Sequence, residues 1–152
     1  DKAGMRSSIW PGVDGRRANC VFELIYFARP DSVIDNKLVY SMRKAMGARL
    51  AREHPTDADV VIGIPDSATA AAVGFAQESG IPYSEGLVKN RYVGRTFIEP
   101  TQHLRDMGVT MKFNPMPEVI NGERVVVIDD SIVRGTTTPQ VVNQLEVDVF
   151  SM

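Results

Sequence analysis

The chain is poor in the groups that build metal cages and covalent staples. It has one cysteine and two histidines among 152 residues. A single cysteine excludes an internal disulfide, which fits a cytosolic protein. His54 and His103 lie far apart and lack the spacing of a zinc site. His54 reads as a surface residue at a helix end; His103 could face an anion but has no pattern demanding it. No apolar run approaches the ~20 residues of a membrane span, and Asp1–Ser7 has no apolar signal-peptide core. Charge of one sign is missing too. The net charge is −2, so bulk charge shows no nucleic-acid footprint. Repeats and low-complexity segments are absent. What is left, 43% hydrophobic and 24% charged residues, suits one soluble domain with a real core.

The most informative stretch present is Val125 to Pro139. Four β-branched apolar residues, Val125 to Ile128, read as a buried strand. Asp129 and Asp130 follow at its carboxyl end, where open α/β sheets bind ligands. Adjacent strand residues point to opposite faces, but a turning backbone lets both reach one ligand. Arg134, Gly135, Thr136, Thr137 and Thr138 then offer backbone N–H groups and hydroxyls, an anion site at a helix N-terminus. Pro139 suits the first turn of that helix, capped by Thr138. An acidic and an anion-binding surface on one loop suit a phosphorylated sugar.

Elsewhere strands and helices alternate. Cys20 to Ala28 is apolar and aromatic and is read as a strand, with a turn at Arg29–Ser32. Asp35 or Asn36 caps the next helix. There Leu38, Val39, Met42, Met46 and Leu50 share one face, and Lys37, Arg43, Lys44 and Arg52 the other. That helix ends near His54. Val60–Ile64 reads as a second buried strand, broken by Pro65-Asp66-Ser67. Ala68–Ser79 is helical, with Gly80 as its stop. Gly86–Val88 is a third strand, Thr101–Met107 a short helix and Asn114–Pro117 a turn. The pattern predicts an α/β fold: an open, mostly parallel sheet with helices on both faces.

The run Val125–Pro139 resembles the phosphoribosylpyrophosphate (PRPP) motif of type I phosphoribosyltransferases. Lys89–Ile98 and Phe22–Ser32 resemble glutamine PRPP amidotransferases, and the likeness extends over roughly Cys20 to Gln144. It implies a type I phosphoribosyltransferase-like fold, truncated at the C-terminus where Glu146–Met152 departs from the family pattern. Residues 1–19 are then a linker or the cut edge of a missing glutaminase domain, and 20–152 an incomplete phosphoribosyltransferase domain.

The resemblance also implies roles. Asp129 and Asp130 would contact the ribose hydroxyls and the Mg²⁺ shell, and would stabilise positive charge at C1. Ser131 and Arg134–Thr138 would hold the 5-phosphate. Pro65, Asp66 and Ser67 would receive the pyrophosphate, with Ser67 at the metal; capping of the following helix is the plainer role for Ser67. Lys89, Arg91 and Arg95, with Tyr92, would belong to a lid that closes on PRPP and excludes water, Lys89 and Arg95 acting in catalysis. Tyr26, Tyr92, Phe97 and Ile98 match positions lining a passage for ammonia. Cys20 matches the first ligand of the [4Fe-4S] cluster of some members, and serves equally well as a small core residue.

The implied activity is conversion of PRPP and ammonia, released from glutamine, to 5-phosphoribosylamine and pyrophosphate, the first step of de novo purine synthesis. The implied protein is cytoplasmic, homo-oligomeric when full-length, and binds neither nucleic acid nor membrane. Two other readings compete: a non-catalytic PRPP-binding regulator on the same scaffold, and another phosphoribosyltransferase. The first would want a basic DNA-binding element, which is missing. The second leaves the Cys20–Ser32 match without an account.

Overall fold

A computed structural model describes Gly4, Ser8 and residues 18–92, 112–132 and 137–145. Arg95, Phe97, Ile98, His103, Arg134, Gly135, Thr136, the side chain of Thr137, the proposed Thr101–Met107 helix and residues 146–152 lie outside the described residues.

The centre is a parallel pair, β3 (Val60–Gly63) and β6 (Val125–Ile128), in register from Val60↔Val125 to Gly63↔Ile128. Val61 adds a parallel bridge to Tyr83 on its other edge, with Ser84 N–H donating to Val61 O at 3.0 Å. Side chains alternate across this sheet. Val60, Ile62, Val125 and Val127 pack on one side with Leu87, Phe113, Ile120, Val141 and Leu145. Val61, Val126 and Ile128 pack on the other with Ala51, Ala72, Phe75 and Ala76. The expected α/β architecture with cover on both faces is therefore present. One cover is α1 (Val39–Glu53) and α2 (Thr69–Ser79). The other comprises the antiparallel pair β4 (Leu87–Lys89) and β5 (Phe113–Pro115), the short helix α3 (Pro117–Ile120) and α4 (Thr137–Leu145). Among the described residues no helix is long and apolar enough to cross a membrane.

Three local expectations are corrected. Within Cys20–Ala28, residues 21–27 are helical, with a π-helical turn at Glu23–Phe27, and the stretch buries no residue. Its aromatics suggested a strand, but they stack on each other: Tyr26 and Phe27 ring centroids lie 4.4 Å apart. Asp35 and Asn36 do not cap a helix. They form the tip of a hairpin between β1 (Val33–Ile34) and β2 (Lys37–Leu38), both at positive φ (49° and 59°), the backbone a two-residue hairpin with primed turn requires. Asn114–Pro117 is no simple turn either, since Phe113–Pro115 pairs with Leu87–Lys89.

The fourth correction concerns the buried face of α1. It carries Val39, Arg43, Gly47 and Ala51, whereas Met46 and Leu50 are exposed and line an open groove with Leu38 and Met42. Close helix packing selects this face. A Cβ on Gly47 would lie 1.8 Å from Ala71 O, and one on Gly74 would lie 1.9 Å from Lys44 O. Two glycines therefore let the α1 and α2 backbones meet, and the larger side chains turn outward.

Candidate active site

The carboxyl ends of β3, β4 and β6 meet at one edge. Ile64 N–H donates to Ile128 O at 2.9 Å, so the loop after β3 leaves beside the acidic pair. That loop carries Pro65, Asp66 and Ser67, with a cis peptide between Pro65 and Asp66. The N-cap of α2 is Ala68, and no side chain caps that helix. Ser67 is thus not engaged as a cap and stays half-buried at the edge. Lys89, the last residue of β4, donates from Nζ to Asp66 Oδ2 at 2.7 Å. It joins the root of the expected lid to the expected pyrophosphate loop.

Asp129 and Asp130 are half-buried. Asp130 N–H donates to Asp129 Oδ1 at 2.8 Å, and Ser131 Oγ donates to Asp130 Oδ1 at 2.8 Å. These bonds fix a tight acidic turn. Burial pushes the Asp129 carboxyl above its ordinary value; the Asp130 N–H opposes this, the Asp130 charge adds to it and Lys112 opposes it. The strand alternation thus hands one carboxylate to each layer. Asp129 continues the row of Val125 and Val127 and feels Lys112, while Asp130 continues the row of Val126 and Ile128 and acts on Arg43 of α1.

Lys112 was not among the residues picked from sequence. It immediately precedes β5, and Asn90 N–H donates to its carbonyl at 2.7 Å. Burial lowers its ammonium pKa, as does Lys89; Asp129, Asp130 and Asp66 oppose the shift. Two lysines therefore converge with three carboxylates on the site edge. No local pattern marks Lys112: only the β4–β5 pairing brings it beside Lys89.

The remaining expectations are placed unevenly. Arg91 and Tyr92 are exposed, Tyr92 fully. Tyr26 sits in the Phe22–Tyr26–Phe27 aromatic group, and among the described residues no ring contact joins it to Tyr92. Thr138 is half-buried in the first turn of α4. Cys20 is exposed, so it is not a core residue.

The resemblance implies two cofactors, Mg²⁺ and a [4Fe-4S] cluster. Magnesium takes hard oxygen ligands, keeps several waters, and is commonly held by one or two carboxylates plus substrate phosphates. Asp129, Asp130 and the Ser67 hydroxyl fit that role, and among the described residues no cluster of three or more Asp, Glu, His or Cys forms a metal cage. A [4Fe-4S] cluster needs four thiolates, and the residues present do not fit it, because Cys20 is the sole cysteine.

A parallel sheet with an acidic pair at one strand end, and a Pro-Asp-Ser loop at its neighbour's, defines a type I phosphoribosyltransferase-like fold. No protein-family model matches the chain. A glutamine PRPP amidotransferase from B. subtilis, solved with ADP and GMP, superposes with a TM-score of 0.73 at 56% identity, over 83% of this chain and 28% of that one. The amidophosphoribosyltransferase of Synechocystis sp. is 58% identical over 129 residues, 85% of this chain and 26% of the relative. That of Methanocaldococcus jannaschii is 59% identical over 128 residues, 84% and 27% respectively. Over the segment it shares with them, the chain is similar to the amidophosphoribosyltransferases. It spans about a quarter of their length.

Proposed function

We propose that this chain is the PRPP-binding part of an amidophosphoribosyltransferase, a glycosyltransferase that makes 5-phosphoribosylamine and pyrophosphate from PRPP and ammonia. The observation that carries the reading is the meeting of Asp129 and Asp130 with the Lys89–Asp66 pair at one sheet edge. Asp129 and Asp130 accept the ribose hydroxyls and present negative charge as C1 becomes electron-poor. Lys89 and Lys112 draw the pyrophosphate toward Pro65–Ser67, where Lys89 exchanges Asp66 for a phosphate oxygen. Arg134–Thr138 take the 5-phosphate, and Arg91, Tyr92 and Arg95 belong to the closing lid. Asp129, Asp130 and the Ser67 hydroxyl would hold Mg²⁺, which would supply positive charge against the departing pyrophosphate. The ammonia nitrogen forms a bond to C1, the C1–O bond breaks with its electron pair leaving on pyrophosphate, and the nitrogen sheds a proton.

The ammonia is supplied by glutamine hydrolysis on a glutaminase domain and travels past Tyr26, Tyr92, Phe97 and Ile98. An apolar wall suits neutral ammonia. The full-length protein works in the cytoplasm as a homo-oligomer. Calorimetric titration with Mg²⁺ and PRPP tests the reading: the wild type binds, and an Asp129→Asn/Asp130→Asn variant loses most of its affinity. Equal binding by both would overturn it. Pyrophosphate release with ammonium salt at raised pH separates the enzyme from a PRPP-binding regulator.

A further inference from the structure

Arg43 is 5% exposed and is the only buried polar or charged side chain among the described residues. Sequence periodicity put it on the solvent face of α1; the structure puts it on the buried face with Val39, Gly47 and Ala51. A guanidinium in such a place needs partners for its fork of donors. It finds backbone carbonyls instead of a carboxylate. Its Nε donates to Leu24 O and its Nη2 to Ala28 O, both at 2.8 Å. The first oxygen lies within the π-helical turn Glu23–Phe27 and the second on the residue that ends it, and the turn carries Tyr26. That turn buries no residue of its own, so apolar packing anchors it weakly and the two charged hydrogen bonds count for more.

The charge has one carboxylate neighbour that acts on it, Asp130. The register agrees, since Asp130 follows Val126 and Ile128 on the side of the sheet that α1 and α2 cover. One side chain therefore faces the acidic turn with its charge and grips the Tyr26 segment with its hydrogen bonds. We infer that Arg43 is a positioning residue that couples the Glu23–Phe27 turn to Asp130, so that occupation of the acidic edge by a Mg²⁺–phosphosugar is felt at Tyr26. The coupling part rests on the reading of Asp130 as a PRPP ligand; the anchoring part stands without it.

Hydrogen–deuterium exchange on the whole chain, with and without Mg²⁺ and PRPP, tests both parts. In the wild type, added PRPP slows exchange at 23–28. In Arg43→Met, those amides exchange about tenfold faster without ligand and no longer respond to PRPP, while α2 amides are unchanged. Arg43→Lys keeps the charge but loses the fork, so it retains PRPP affinity within about threefold while 23–28 exchanges fast. Equal ligand-free exchange at 23–28 in wild type and Arg43→Met overturns the anchoring. A wild type that binds PRPP with no change at 23–28 overturns the coupling. A wild type that binds no PRPP overturns the functional reading and the coupling with it, and the ligand-free comparison still decides the anchoring. If Arg43→Met loses α2 protection, Arg43→Lys decides in its place: unaltered exchange at 23–28 overturns the anchoring.

Discussion

Lys89 Nζ and Asp66 Oδ2 lie 2.7 Å apart and join two loops that a pyrophosphate would have to part. Both side chains are accessible, at 33% and 72% exposure, and such pairs contribute little to stability. Lys89→Met therefore leaves the melting temperature nearly unchanged. Its dissociation constant for Mg²⁺–PRPP rises about tenfold or more, because hydrogen bonds to charged groups are worth about 1.5–3 kcal/mol. Calorimetry beside thermal denaturation checks the split.

Lys112 makes a second, independent contribution to the same field. Lys112→Gln keeps a hydrogen-bonding tip and removes the charge. PRPP affinity falls, and the fall shrinks as salt rises, since the lost term is a partly screened charge attraction. Titrations at low and high ionic strength measure it.

Gly47 and Gly74 hold the α1–α2 contact by having no side chain. Gly47→Ala and Gly74→Ala each place a methyl on backbone atoms that cannot yield, and cost about 1–3 kcal/mol or more. Gly80→Ala gives the contrast. Its φ is +78°, with nothing within 4 Å of the added carbon, so only backbone strain remains, about 1 kcal/mol. Urea denaturation of the three variants should rank them in that order.

At the opposite end of the parallel pair, Arg124 binds Asp59 through Nη2 at 2.8 Å and Nε at 3.0 Å, and binds Asp57 as well. The Arg124 hydrogen bonds hold the Asp59 carboxyl at about 2, below its ordinary 3.8. A depressed folded-state pKa gives stability that is present above the unfolded value and lost as pH falls through the folded one. The wild type therefore loses this increment between about pH 4 and pH 2. Asp59→Asn is less stable at neutral pH, and the difference closes on acidification. Denaturant midpoints across that range check the sign.

The parts of the molecule that were legible in the sequence are those whose cause is local. Val60–Gly63, Val125–Ile128 and the Gly80 stop follow from apolar runs and one left-handed residue. Asp129, Asp130 and Asp66 could be placed at strand ends because each follows a short apolar run, whereas Lys89 was named through the family resemblance of Lys89–Ile98. What escaped depends on distant partners. Arg43 has an ordinary helical-surface spacing, and only the close α1–α2 contact and the Leu24 and Ala28 carbonyls account for its inward place. The aromatics of Cys20–Ala28 suit a strand by composition, yet among the described residues no strand pairs with them. Lys112 gains meaning from an antiparallel partner more than twenty positions upstream, and the primed turn at Asp35–Asn36 was hidden beneath a helix-cap reading of the same residues.

The pairing of β3 with β6 has a kinetic consequence. Asp59 and Arg124, at the foot of the two strands, are 65 residues apart in sequence. Closing a loop of that length carries an entropic cost that must be met before any strand contact rewards it. The Asp66 loop and the Asp129–Asp130 turn therefore become neighbours only once that loop is closed. A ligand that touches both recognises only the closed chain. Present at a hundred times its dissociation constant, such a ligand would deepen the native well by about 2.7 kcal/mol and would clamp the two loops it touches.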